Sequence, residues 1–283
     1  MDEVELGTAE LRRLGFEATY SPTVFDKARF TAGSCEARAR AIHDALVDPG
    51  VAALVAIRGG YGSAELLPLL DPAVIRTARK PLIGYSDITA LLNLYLRCGL
   101  TAIHGPMIDR RISKGPSAYH VDSFVRVLTS PDPPGEMRPD QLETLHPGEG
   151  RGTLVGGTLT QLMASLGTPW AFDPPEGCIL FLEDIGERPY RVHRLLTQAA
   201  QAGILARARG IVFGECPGCD EPGGDPGIRD VLREFTDSFA GPVLFNFPSG
   251  HTVGATWTLP FGVTVNVVGG ANPALTILES AVE

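Results

Sequence analysis

The stretch RKPLIGYSDITALLNLYL (79–96) sets a small hydroxyl, Ser86, between a short bulky apolar run and an apolar pattern of helical period. A serine at the carboxyl end of a parallel strand sits where open α/β sheets bind their ligands. With a helix starting at once, the N–H of Asp87 lies at the positive end of the helix dipole. There it can stabilise the oxyanion that forms when Ser86 attacks a carbonyl. The surroundings are not the G-x-S-x-G elbow, because Ile88 replaces the second glycine. A serine nucleophile needs a base, normally His, and the base needs an acidic orienter. Acids are offered by LFLEDIGERPYRVHR (180–194), where Glu183 and Asp184 close another apolar run, and the pattern does not choose between them. Of the six histidines, two stand in unusual contexts: His104 in AIHGPM at a strand end, and His251 in the Gly-flanked turn NFPSGHTVGA.

Two further motifs invite chemistry. IRGGYGSAE (57–65) has the G-x-G of a nucleotide loop, yet Glu65 stands where the dinucleotide fingerprint needs Gly or Ala. Its plainer reading is a tight strand-to-helix turn. Its functional reading is a loop whose bare N–H groups face a ligand or an oxyanion, an approach that glycine permits. CPGC (216–219) is a C-x-x-C without the second Cys or His pair that a zinc site requires. Asp220 and Glu221 follow it, and it reads as an acidic surface loop that carries thiols.

The elements that must position these residues alternate. An amphipathic helix over 3–14 ends at Gly15, and a second starts behind Ser34, a suitable N-cap, and stops at Asp48–Pro49. VAALVAI (51–57) is apolar throughout, the mark of a strand buried on both faces of a parallel sheet. Helical segments over 63–70 and 72–79, a strand at 81–85, a helix over 88–97 and a strand near 101–103 follow at βαβ spacing. From 129 to 152 the chain is rich in Pro, Gly and acids with no apolar period, and reads as a linker between domains. Beyond it CILFLED (178–184), GIVFGE (210–215) and PVLFNF (242–247) are strands between helices, and short strands follow near 257–260 and 263–268. The domains expected are thus 1–128 with the nucleophile, a linker over 129–152, and 153–283.

Composition bounds what such a site can serve. With 283 residues, 44% hydrophobic and 20% charged, the chain has the balance of a soluble globular protein with room for a sizeable core. A formal charge of −9 argues against nucleic acid or an anionic membrane surface as the main partner. No apolar run approaches the roughly 18–20 residues of a membrane span. The charged opening lacks the apolar stretch of a signal peptide. Five thinly spread cysteines suit a reducing compartment, so a cytoplasmic protein is expected.

Together, ALVAIRGGYGSAELLPLLD, KPLIGYSDITALL, IHGPM, LVGGTLTQLMASLGTP, ILFLEDIGERPYRVHRLL, GIVFGEC and NFPSGH resemble the LD-carboxypeptidase family. These are serine peptidases of murein recycling, with microcin-immunity relatives. The motifs follow the family's order from about residue 10 to 265, nearly the whole chain. The resemblance implies an α/β fold, with a Rossmann-like parallel-sheet N-terminal domain and a β-rich α/β C-terminal domain. Its first family strand precedes the ELRRLGF helix at which this chain starts, so the resemblance implies a gap or an exposed edge in the N-terminal sheet. It assigns the nucleophile to Ser86, the orienting acid to Glu183, the base to His251, and the oxyanion hole to the N–H groups of Gly60 and Asp87. It implies no metal and no cofactor, commonly a homodimer, and a murein tetrapeptide as substrate, cut to release terminal D-alanine. GERPYR after the acid looks more like the recycling branch. The alternatives are a microcin-immunity peptidase acting on a peptidyl nucleotide conjugate and a non-catalytic muropeptide-binding homologue.

Overall fold

The computed structural model describes residues 2–282; Met1 and Glu283, the outer bounds of the expected domains, lie outside the described residues. The chain opens with α1 (Glu3–Arg13), α2 (Cys35–Val47), β1 (Leu54–Val55), α3 (Ser63–Leu66) and α4 (Pro72–Ala78). Then come β2 (Leu82–Gly84), α5 (Thr89–Arg97), β3 (Ala102–His104), α6 (Val121–Thr129), β4 (Gly135–Met137) and β5 (Glu143–His146). The middle of the chain forms β6 (Gly148–Thr158), α7 (Leu159–Ala164), β7 (Cys178–Glu183), α8 (Pro189–Gln201) and β8 (Ala208–Gly214). It closes with α9 (Ile228–Thr236), β9 (Val243–Phe247), β10 (Leu259–Phe261), β11 (Thr264–Gly269) and β12 (Ala274–Ile277).

Local chemistry accounts for the helix boundaries. Asp2 caps α1 by accepting the Val4 N–H, with Glu3 and Glu5 in the first turn and Arg12 and Arg13 in the last, matching the helix dipole. Ser34 caps α2 through the Ala37 N–H. Helix α5 buries Leu91, Leu92, Leu94 and Tyr95 against the first sheet.

Two sheets carry the fold. The first has the order β1-β2-β3-β10, parallel from β1 to β3 and antiparallel where β10 joins β3. The second has eight strands in the order β4-β12-β11-β6-β7-β8-β9-β5, parallel from β6 to β9 and antiparallel on both flanks. Strand β7 is buried at every residue, as its unbroken apolar run requires at the middle of a parallel sheet.

Three expectations change. The run 51–57 is not a strand buried on both faces: only Leu54 and Val55 pair, both are part-exposed, and β1 lies at the sheet edge. Burial on both sides needs a neighbour beyond it, and none is present among the described residues. A groove of about 2830 Å³ runs along that edge, walled by Phe16, Ala53, Val55 and Ile57 among others. The segment 129–152 is not a linker, because β4, β5 and the first half of β6 lie in it and pair into the second sheet. Backbone pairing carries these flanking strands without an apolar period. Finally, β10 leaves the C-terminal half and joins the first sheet, with Leu259 and Phe261 fully buried there. Among the described residues no helix is long and apolar enough to cross a membrane.

Candidate active site

Ser86 stands at the carboxyl end of β2 in a strained turn. Tyr85 is extended, Ser86 has φ +63°, and one 3₁₀ turn (Ser86–Ile88) leads into α5. A left-handed non-glycine residue costs about 1–3 kcal/mol and persists only where its surroundings impose it. Here Ile83 and Gly84 are buried on one side of it and Asp87 on the other. The Asp87 carboxylate accepts the Ser63 N–H at 2.8 Å, tying the Ser86 turn to the glycine-rich loop. A Cβ on Gly59 would lie 2.8 Å from the Ser86 Cβ and 3.0 Å from its Oγ, so the loop passes the hydroxyl only as glycine. Ser86 itself stays half-buried, and the N–H of Asp87 begins the helical turn behind it.

The acid and imidazole meet from the second sheet. Glu183 ends β7 with 1% exposure, and its Oε2 accepts both the His251 Nδ1–H (2.8 Å) and the His251 backbone N–H (2.9 Å). With Nδ1 so engaged, Nε2 is the nitrogen left for chemistry. Its other oxygen, Oε1, accepts the Thr158 hydroxyl, because parallel β6 and β7 place Thr158 opposite Glu183 in register. Burial pushes the Glu183 pKa up, but the charge and hydrogen bond of His251 outweigh it, and the carboxyl is held below its ordinary value. For His251 burial works against protonation, and Glu183 reverses the balance, so its pKa lies above the ordinary imidazole value.

Behind this pair sits His104, wholly buried, with Nδ1 2.9 Å from the Ser249 hydroxyl and Nε2 4.0 Å from Glu183. Burial lowers its pKa to about 4, which keeps it neutral. Gly250, at φ +79°, has no room for a side chain, since a Cβ would lie 2.7 Å from His104 Cε1 and 2.8 Å from Glu183 Cδ. The chain therefore turns tightly over Glu183 and delivers His251. The imidazole also meets the Tyr85 ring edge-on, centroids 5.1 Å apart, next in sequence to Ser86.

Of the two carboxylates that the pattern left open, Glu183 contacts His251. Asp184 instead accepts the N–H groups of Thr160 (2.8 Å) and Ile185 (2.9 Å), fastening the start of α7. Burial and the charge of Glu183 push it up to about 6. No hydrogen bond joins Ser86 to His251 among the described residues; such contacts often tighten only with substrate bound. Cys216 and Cys219 are not surface thiols. Both are buried, because their turn folds beneath Gly186, whose N–H donates to the Pro217 carbonyl at 3.0 Å. Among the described residues no group of three His, Cys, Asp or Glu is placed to hold a metal ion. Thr158, Tyr85 and Arg111 were not foreseen as part of the site, since only strand register and loop docking bring them there.

Comparison with known proteins decides the family. Residues 1–105 match the LD-carboxypeptidase N-terminal domain and residues 151–267 the LD-carboxypeptidase C-terminal domain. The murein tetrapeptide carboxypeptidase of Pseudomonas aeruginosa is 31% identical over 278 residues, covering 95% of this chain and 89% of that protein.

The chain belongs to the LD-carboxypeptidase family.

Solved family structures superpose closely. A muramoyltetrapeptide carboxypeptidase from Oxalobacter formigenes gives a TM-score of 0.86 at 30% identity, covering 98% of this chain and 94% of that one. MccF in complex with glutamyl sulfamoyl guanosine gives 0.89 at 25% identity, covering 99% and 92%. Membership makes the chain a serine peptidase of carboxypeptidase type, and the two-domain α/β architecture is the family's own.

Proposed function

We propose that the chain is an LD-carboxypeptidase that removes terminal D-alanine from murein tetrapeptides in the cytoplasm, with Ser86, Glu183 and His251 as its triad. The observation that carries this reading is the buried Glu183–His251 pair, with Nδ1 held at 2.8 Å and Nε2 left free. His251 Nε2 takes the Ser86 proton as Oγ attacks the scissile carbonyl. The N–H groups of Gly60 and Asp87 receive the oxyanion. Glu183 fixes the tautomer and stabilises the imidazolium, which then protonates the D-alanine amine as the C–N bond breaks. Water, deprotonated by His251, hydrolyses the acyl-enzyme and restores Ser86.

The likeness to MccF favours a second reading, cleavage of a peptidyl nucleotide conjugate by the same three residues. One assay separates them: each substrate is incubated with the protein, and free D-alanine or released nucleotide is measured. D-alanine from the tetrapeptide supports the proposal. Turnover of the nucleotide conjugate alone overturns it.

A further inference from the structure

Arg111 lies outside the triad, yet its guanidinium reaches the loop that carries His251. Its Nε donates to the Tyr85 hydroxyl at 3.4 Å, and its Nη1 to the carbonyls of Ala118 (3.3 Å) and Gly254 (2.9 Å). Its Nη2 donates to the carbonyls of Gly250 (3.4 Å) and Thr252 (2.8 Å). A guanidinium has five N–H groups, and all five are engaged. Arg111 therefore cannot fork a substrate carboxylate without giving up some of these bonds, although a cation beside a carboxypeptidase site invites that role.

Three of the five acceptors flank His251 on both sides. The far limb of the same loop is held independently, since Thr256 pairs with Tyr119 through the bonds Thr256 N–H to Ala118 O (3.2 Å) and His120 N–H to Thr256 O (2.9 Å). Val253 is tied down by its N–H to Glu215 at 2.7 Å. The near limb, from Gly250 to Gly254, docks on the N-terminal half through Arg111. The fifth bond, to Tyr85, ends on the ring that touches the imidazole and precedes the nucleophile.

We propose that Arg111 is a positioning residue that holds the His251 imidazole toward Ser86 by clamping the carbonyls of Gly250, Thr252 and Gly254. The inference rests on the triad proposed above. Besides burial, which disfavours the imidazolium most, the groups facing His251 are Glu183 and Asp184 at the end of β7, His104 on β3, the Tyr85 phenol and Arg111. The two carboxylates favour the imidazolium, and the Arg111 charge opposes it.

The test compares full-length Arg111→Gln and Arg111→Lys with the wild type by three measurements. These are D-alanine release from murein tetrapeptide, NMR titration of the His251 imidazole, and amide hydrogen exchange over residues 250–254. In Arg111→Gln we expect kcat to fall about 10–100-fold with KM changed less than about threefold, the pattern of a misplaced catalytic group. Its imidazole should titrate higher, and amides 250–254 should exchange faster. Lysine keeps the charge but not the planar fork. In Arg111→Lys the titration should stay near that of the wild type while kcat falls and exchange quickens. A glutamine variant that retains kcat within about twofold, or a loss of kcat in both variants with exchange over 250–254 unaltered, overturns the clamp. If Arg111→Gln does not fold, the exchange and kcat of Arg111→Lys decide. A wild type that releases no D-alanine defeats the functional reading, while titration and exchange still judge the clamp.

Discussion

In the eight-stranded sheet β7 is buried at all six residues and paired on both sides. In the four-stranded sheet β1 pairs two part-exposed residues with a single neighbour. Each surrounding suits the role proposed for the group its sheet carries. A carboxylate that is to stabilise an imidazolium gains most where water is excluded, and Glu183 sits at the end of a strand buried at every residue. The proposed nucleophile must be reached by substrate, and Ser86 stands half-buried on the smaller sheet, at the end of the strand next to the open edge. The imidazole between them comes from a loop of the C-terminal half that Arg111 and Tyr119 dock onto the N-terminal half.

The sharpest break in this comparison is Ser86→Ala. It should lower D-alanine release by about four to six orders of magnitude, the usual cost of losing a triad nucleophile. The circular dichroism spectrum and Tm should stay near wild type, since alanine keeps the same backbone and the Ser86 hydroxyl makes no hydrogen bond among the described residues. Activity above about a hundredth of wild type would remove Ser86 from its role.

Glu183→Gln tests the enclosed side. We expect kcat to fall about 10³–10⁴-fold, because the wrong tautomer of His251 becomes favoured. The pH profile carries a sign. Catalysis needs neutral His251, whose pKa Glu183 raises, so wild-type activity should climb through an acid limb above the ordinary imidazole value. Without the carboxylate charge the imidazolium loses its partner, and residual activity should show that limb moved to lower pH. A limb that stays in place would mean that His251 is not the base it reports.

A matched pair of core substitutions compares the sheets directly. Leu180→Ala, wholly buried in β7, should cost about 2–5 kcal/mol in urea denaturation. Leu54→Ala in part-exposed β1 should cost less than about 1.5 kcal/mol. Equal losses would show that the edge strand is packed as tightly as the centre. Among the substitutions at the candidate site the smallest effect on kcat is expected from Thr158→Val, which removes one hydroxyl from Glu183 Oε1 while Oε2 still holds His251. Loss of one hydrogen bond to a charged group, about 1.5–3 kcal/mol, should be felt in stability and as a modest fall in kcat, with KM unchanged.

Much of the site was legible in the chain because its signals are local. Ser86 was marked by an apolar run, a small hydroxyl and a helical period within a dozen residues. The helix over 88–97 is α5 over Thr89–Arg97, and the strand run at 178–184 is β7 over Cys178–Glu183. The Ser34 cap lies where a serine before an amphipathic segment predicts it. Where the reading failed, the missing quantity was a partner distant in sequence. The apolar run 51–57 reports what each side chain favours and not whether a strand lies beyond it. The polar segment 129–152 hides strands whose pairing is made by backbone groups that composition does not reveal.

By itself, then, the sequence marked the alternation of strands and helices outside 129–152, the serine at a strand-to-helix joint, and a short set of acids and histidines that could supply a base and its orienter. Those features depend on residues a few positions apart, through period, capping and turn chemistry. The tertiary structure decided that Glu183 and not Asp184 faces the imidazole, that Thr158 lies opposite it in register, that β10 crosses to the first sheet, and that Arg111 grips the His251 loop. Each of these depends on strand register or loop docking between segments from 25 to about 160 residues apart. No local preference encodes such pairings, because they are set by which apolar faces bury together.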